Sequence, residues 1–208
     1  MKYISTRGGI EAIGFQEAVI TGLSPDGGLL LPEEIPNVSG RLNELAQLSY
    51  QELAAEIMRL YTDLPEGELR ELLDASYGAF RHPEVAPVVR LGRLNLLELF
   101  HGPTLAFKDI ALQFLGNLFE HILQRTGGGL NILAATSGDT GSAAIHGVRG
   151  RKHMSIFVMH PRGRVSPVQE LQMTTVLDDN VFNLAIEGTF DDCQMIMKTL
   201  FNDLELKK

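Results

Sequence analysis

The sequence has no tryptophan and a single cysteine, Cys193, in 208 residues. One cysteine excludes both an internal disulfide and a cysteine-based metal cluster, so packing alone has to hold the fold. No apolar run approaches the ~18 residues needed to cross a bilayer, and the opening MKYISTRGGI lacks the apolar core of a secretory signal, ~7–15 residues long. A cytoplasmic protein with no membrane partner is expected. Positive charge is scarce as well: 18 Lys and Arg against 26 Asp and Glu leave a formal net charge of −8, and the cations never cluster beyond Arg149, Arg151 and Lys152 with His153. That balance argues against nucleic acid as a partner. The six histidines show neither HExxH nor paired i, i+4 spacing, so no metal site is expected. GxSxG, a Walker loop and GxGxxG are absent too, which removes the signatures of a serine hydrolase, a P-loop enzyme and a dinucleotide binder.

What is present is a globular composition, 44% hydrophobic and 21% charged, far from disordered or fibrous classes. Before residue 42, SPDGGLLLP and EEIP are turn chemistry, in which Gly27 and Gly28 permit positive φ and Pro25, Pro32 and Pro36 fix φ. From Leu42 to Phe80 the apolar residues recur at helical spacing (Leu42, Leu45, Leu48; Leu53, Ile57, Leu60; Leu69, Leu72, Leu73), interrupted at Pro65 and Gly67. The pattern resets around His82 to Pro87, which places a domain boundary near residue 92, with a small helical domain at 1–92 and a second domain at 93–208.

Beyond that boundary strand and helix signals alternate. Leu94 to Phe100 reads as a buried strand, and Lys108 to Gln124 presents one broad apolar helix face that the glycines at 127–129 bring to an end. Strand signals at Leu130–Ala135, Met154–Met159 and Val181–Ile186 alternate with helix signals at Gly141–Val148, Ser166–Thr174 and Asp191–Leu206. Four β/α units in succession predict an α/β domain with a parallel, doubly wound sheet covered on both faces by helices.

Ligands in such sheets bind at the carboxyl ends of the strands. Two segments stand there. In HGPTLAFKD, residues 101–109, Lys108 opens a strongly apolar helix. Phe107 before it and Ile110, Ala111 and Leu112 after it would partly desolvate the ammonium and favour a nucleophilic amine able to form a Schiff base. The plainer reading is a lysine whose stem covers apolar surface while its charge stays in water. In TSGDTGS, residues 136–142, glycines, hydroxyls and helix-start N–H groups favour an anion such as a carboxylate or phosphate. The plainer reading there is a capping turn, with Ser137, Asp139 or Thr140 as the N-cap. Cys193, inside the last helix pattern, is expected to be packed and idle.

Six segments taken together resemble the threonine synthase family: YISTRGG at 3–9, LSPDGGLLLPEEIP at 23–36, FHGPTLAFKDIALQFLG at 100–116, AATSGDTGSAAI at 134–145, HPRGRVSPVQELQMTT at 160–175 and EGTFDDCQ at 187–194. The resemblance spans nearly the whole chain, in order. It implies the fold type of tryptophan synthase β and serine dehydratase, with pyridoxal 5'-phosphate carried as a Schiff base on Lys108. It implies a lyase of threonine biosynthesis, converting the small molecule O-phospho-L-homoserine and water to L-threonine and phosphate, with Lys108 as the acid/base at the substrate carbons. Ser137, Gly138, Asp139, Thr140 and Gly141 match the family loop beside the cofactor and the substrate carboxylate. Asp139 stands where relatives of this fold carry an asparagine facing the ring oxygen; a carboxylate there would repel a phenolate, so Asp139 is expected to be protonated or to point elsewhere. For the substrate phosphate the resemblance offers Arg7, Arg162 and Arg164.

Threonine synthases of this type are roughly twice as long, and their loop for the cofactor phosphate and the hydroxyl facing the pyridine nitrogen have no counterpart in these 208 residues. The chain by itself is therefore expected neither to retain pyridoxal phosphate nor to release phosphate from O-phospho-L-homoserine, and to self-associate through an uncovered sheet. Two further readings stay open: a phospholyase giving 2-oxobutyrate, and a non-catalytic fragment or interaction domain.

Overall fold

Ser49 followed three residues later by Glu52 is a helix-start signature, and the computed structural model of the chain, which describes residues 1–203, contains the corresponding capping box. The Glu52 N–H donates to Ser49 Oγ at 3.4 Å and the Ser49 N–H donates to the Glu52 carboxylate at 2.8 Å. The described chain divides into two units, Met1–Gly78 and a second that begins at Ala79. In the first, strand β1 (Tyr3–Ser5) leads to helix α1 (Phe15–Thr21), and β1 pairs antiparallel with β2 (Leu30–Pro32). Helices α2 (Leu42–Leu45), α3 (Tyr50–Met58) and α4 (Glu66–Tyr77) follow. The last two pack together, with Leu69 and Leu73 fully buried and Tyr50 edge-to-face on Tyr77 at 4.9 Å between ring centroids.

The second unit opens with a feature that the sequence pattern concealed. Leu94 to Phe100 is not a buried strand of the main sheet. Strand β3 (Val88–Leu91) pairs antiparallel with β4 (Leu94–Leu97) in a separate hairpin. The cause is local: Gly92, at φ +62°, takes the left-handed conformation that a two-residue hairpin loop requires, so the second strand folds back on the first. The expected boundary near residue 92 falls in this turn. Val89, Leu91, Leu94 and Leu96 share one face of the hairpin and all are exposed.

The remaining elements follow the alternation. Helix α5 (Asp109–Thr126) ends at Gly127, left-handed at φ +70°; then come β5 (Leu130–Ala135), α6 (Asp139–Val148), β6 (Met154–Pro161), α7 (Pro167–Thr174), β7 (Val181–Ile186) and α8 (Phe190–Asn202). The sequence pattern ran the last helix to Leu206, and residues 204–206 lie outside the described part. Among the described residues β5, β6 and β7 form a parallel sheet in that order. This is the α/β architecture with a parallel sheet that the alternation implied. Met154, Ile156 and Val158 of β6 pack with Ile145 and Val148 of α6 and Met173 of α7 in one dry cluster. Phe157 points to the opposite face and stacks on Phe182 of β7 at 4.7 Å, and α8 packs on β5 and β6. No helix among the described residues is long and apolar enough to cross a membrane.

Helices α5 and α6 approach closely because glycines face each other across the contact. A Cβ on Gly116 would stand 2.0 Å from the carbonyl oxygen of Gly147, and one on Gly147 would stand 2.5 Å from that of Leu112. Backbone atoms cannot give way as a flexible side chain can. Gly116→Ala is therefore expected to destabilise the chain by about 1–3 kcal/mol, the usual cost of overpacking, measured as a lowered urea midpoint at unchanged slope; an unchanged midpoint would show that the two helices are not held at this distance.

Candidate active site at the carboxyl edge of the sheet

The turn between β5 and α6 has to leave a parallel strand and enter a helix within a few residues, and Thr136 makes this work. Its buried Oγ1 accepts hydrogen bonds from the N–H groups of Gly138, at 3.0 Å, and Gly141, at 2.9 Å. The N-cap of α6 is Gly138, at φ +147°, and not Ser137, Asp139 or Thr140. A side chain would be strained at that φ, where the amide end of Gln169 also fills the space beside the glycine; at Gly141 a Cβ would meet Thr136 Cγ2 at 2.5 Å and Met173 Sδ at 2.6 Å. These glycines thus allow close packing against protein atoms. The Thr140 N–H donates to Asp139 Oδ1 at 2.8 Å, and Ser137 lies exposed.

Opposite this turn, residues 102–108 coil into the start of α5 and bring Lys108 to the same edge. Lys108 Nζ donates to Asp139 Oδ2 at 2.7 Å and lies 4.1 Å from the centroid of the Phe107 ring. Phe107 is thus the expected apolar neighbour that is in contact with the amine. The lysine side chain is 27% exposed and that of Asp139 38%. The hydrogen bond from Lys108, reinforced by its charge, holds the Asp139 carboxyl below its ordinary range. Asp139 is accordingly an ionised carboxylate aimed at the lysine, so a cation stands beside the negative charge that the sequence left unexplained.

The arginines are placed differently. Arg162 and Arg164 lie on the exposed turn after β6, and Arg162 is paired with Glu187. Arg7 belongs to the first unit, where its Nη1 donates to the main-chain oxygen of Asp26 at 3.0 Å. Cys193 is fully buried, and burial pushes its thiol pKa up. A wide cleft lined by Arg149, Asp178 and Asn180 lies at the amino ends of the strands, away from Lys108, and Arg149 and Asp178 neutralise each other there at 2.8 Å. Thr136 and the buried Asp109 are the structural partners that sequence reading missed. A threonine just before the glycine turn and an acid just after the lysine were the only signals, and neither is distinctive by itself.

Comparison with known proteins gives consistent matches. Residues 2–77 match the family profile "Threonine synthase N terminus". The chain is 52% identical, over its whole length, to 43% of a threonine synthase of Schizosaccharomyces pombe. Two solved structures superpose at a TM-score of 0.90. One is a PLP-bound threonine synthase of Brucella melitensis, 46% identical, with 99% of this chain matching 45% of that one. The other is a yeast threonine synthase, 50% identical, with 99% of this chain matching 44% of that one. The chain thus spans somewhat under half the length of these relatives.

The turn gives a direct prediction. Thr136→Val keeps the shape of the side chain and leaves two buried N–H groups without an acceptor. A loss on the order of 2 kcal/mol is expected in chemical denaturation, with Thr136→Ser close to the parent; equal stability of the valine variant would remove Thr136 from this role.

Proposed function

We propose, from the premise that this chain corresponds to the amino-terminal portion of the threonine synthase family, that it bears the cofactor lysine of a lyase converting O-phospho-L-homoserine and water to L-threonine and phosphate. The observation that carries this reading is the 2.7 Å contact between Lys108 and Asp139, which joins the two loops at the carboxyl edge of the sheet where ligands of such folds bind. The residues fit the aldehyde end of pyridoxal phosphate: a partly exposed primary amine at a helix start, beside an aromatic ring and a carboxylate. When bound, pyridoxal phosphate supplies an electron sink for charge that develops at the substrate carbons.

The chain's own side chains do the rest. Lys108 holds the cofactor through its amine and is the group that takes and returns protons at the substrate carbons. Asp139 orients the amine through their 2.7 Å hydrogen bond. Ser137 and Thr140 flank Asp139 with hydroxyls suited to the substrate carboxylate, and Gly138 and Gly141 fix the path of that loop. Arg162 and Arg164 are the cations of this unit that we assign to the substrate phosphate; Arg162 must leave Glu187 to take part. Within these residues no internal disulfide can form, and the one thiol is buried, which fits a reducing, cytoplasmic compartment.

Borohydride reduction in the presence of pyridoxal phosphate, followed by peptide mass spectrometry, tests the assignment. The pyridoxyl group is expected on Lys108 in preference to Lys2, Lys152 and Lys198, and the preferred adduct is expected to vanish in Lys108→Ala. An adduct spread evenly over the lysines, or centred on another one, contradicts it.

A further inference from the structure

The residue after the cofactor lysine is an acid with no access to water, and nothing in the proposed chemistry uses it. Asp109 is 0% exposed. Its Oδ2 accepts the Thr104 N–H at 2.8 Å, and its Oδ1 accepts the Thr104 hydroxyl at 2.8 Å and Gln113 Nε2 at 3.3 Å. A buried carboxylate is tolerated only when its oxygens are satisfied in this way. The two bonds from Thr104 tie the loop before Lys108 to the helix after it, and the bond from Gln113 holds the carboxylate from within that helix.

The surrounding geometry shows how tightly that loop is wound. Leu105 has φ +64°, a left-handed conformation that costs a leucine energy. Gly102 lies so close to the carboxylate that a Cβ would stand 2.4 Å from both Asp109 Cβ and Oδ2. Thr104 is gripped from a third side, since its main-chain oxygen accepts Gln172 Nε2 of α7 at 3.1 Å. Gln113 extends the network across the helix contact. Its Nε2 also donates to the Ala143 main-chain oxygen of α6 at 3.4 Å, and its Oε1 faces His146 Nδ1 at 3.3 Å, which makes that ring nitrogen the donor. Burial holds the His146 imidazole below its ordinary pKa, in keeping with a neutral ring. Thus a single buried group joins the lysine loop, α5 and, through Gln113, the helix that starts with Asp139.

We propose that Asp109 is a positioning residue: its buried carboxylate holds the strained Gly102–Lys108 loop in register with α6, so that Lys108 Nζ meets Asp139 instead of sampling solvent. The proposal rests on the reading of Lys108 as the cofactor lysine. A purely structural acid would change overall stability alone. A positioning acid sets the reactivity of Lys108 relative to the other lysines of the same molecule.

The test measures that ratio, as pyridoxyl label on Lys108 over label on Lys2, Lys152 and Lys198 after borohydride trapping with pyridoxal phosphate in the 208-residue chain. Asp109→Asn replaces one acceptor oxygen by an NH2 that has to face a donor, either the Thr104 N–H or Gln113 Nε2, and it is expected to lower the ratio about tenfold, the scale of one lost charge-assisted hydrogen bond. Thr104→Val, which removes the hydroxyl bond alone, is expected to lower it less, by about threefold, and Thr104→Ser to restore it. A folded Asp109→Asn chain with the parent ratio overturns the proposal. If Asp109→Asn does not fold, the threonine pair decides: a parent ratio in Thr104→Val overturns the proposal, and a lowered ratio rescued in Thr104→Ser supports it. A parent chain with no preference for Lys108 overturns the cofactor-lysine reading itself, and this proposal with it.

Discussion

A carboxylate sealed from water has to find every hydrogen bond within the chain, and the position of Asp109 makes that requirement organise the site. Thr104 and Gln113 satisfy it, and in doing so they fix the loop that ends at Lys108. The lysine is adjacent to Asp109 in sequence, so its backbone has little freedom once the acid is locked. Its side chain then reaches a carboxylate carried by a different β/α unit. The same requirement explains the small residues nearby: Gly102 leaves room for the carboxylate, while Gly116 and Gly147 let α5 and α6 approach until Gln113 can reach Ala143.

The parallel sheet was legible because its strands are short apolar runs separated by helix-period segments with clear stops, such as Gly127 after α5. Leu130–Ala135 and Val181–Ile186 were read with the bounds the structure gives them. Leu94–Phe100 is ambiguous because an apolar run has no period that separates a buried strand from an exposed hairpin arm, and the deciding signal is Gly92 in a two-residue loop. At the site, Lys108 and Asp139 were legible as residue types in the right places, but their contact was not. An ion pair across 31 positions is a consequence of how α5 and α6 pack. The glycines of SGDTG were legible as tight-turn residues, but whether a ligand or Gln169 fills the space beside them is decided by tertiary neighbours. Thr136 and Asp109 act entirely through such neighbours, which is why no local pattern marked them.

The chain thus presents a lysine placed between two acids, a buried one next to its backbone and a partly exposed one before its amine. The two acids differ in kind. Asp109 is held by neutral donors in a dry setting and acts on geometry. Asp139 is held ionised by the hydrogen bond and charge of the lysine and acts on the direction in which the amine points.

The central claim, that Lys108 and Asp139 form one interacting unit, is tested most directly by a double-mutant cycle on stability with Lys108→Met and Asp139→Asn as a function of pH. The lysine bond lowers the Asp139 pKa from the ordinary aspartate value of 3.8, so the coupling should be fully present above that value and lost as the pH falls through the lowered one. With both side chains partly exposed, a coupling of about 0.2–1 kcal/mol is expected at neutral pH, fading in acid. Additive single-mutant effects at neutral pH, or a coupling that persists unchanged in acid, would contradict the account.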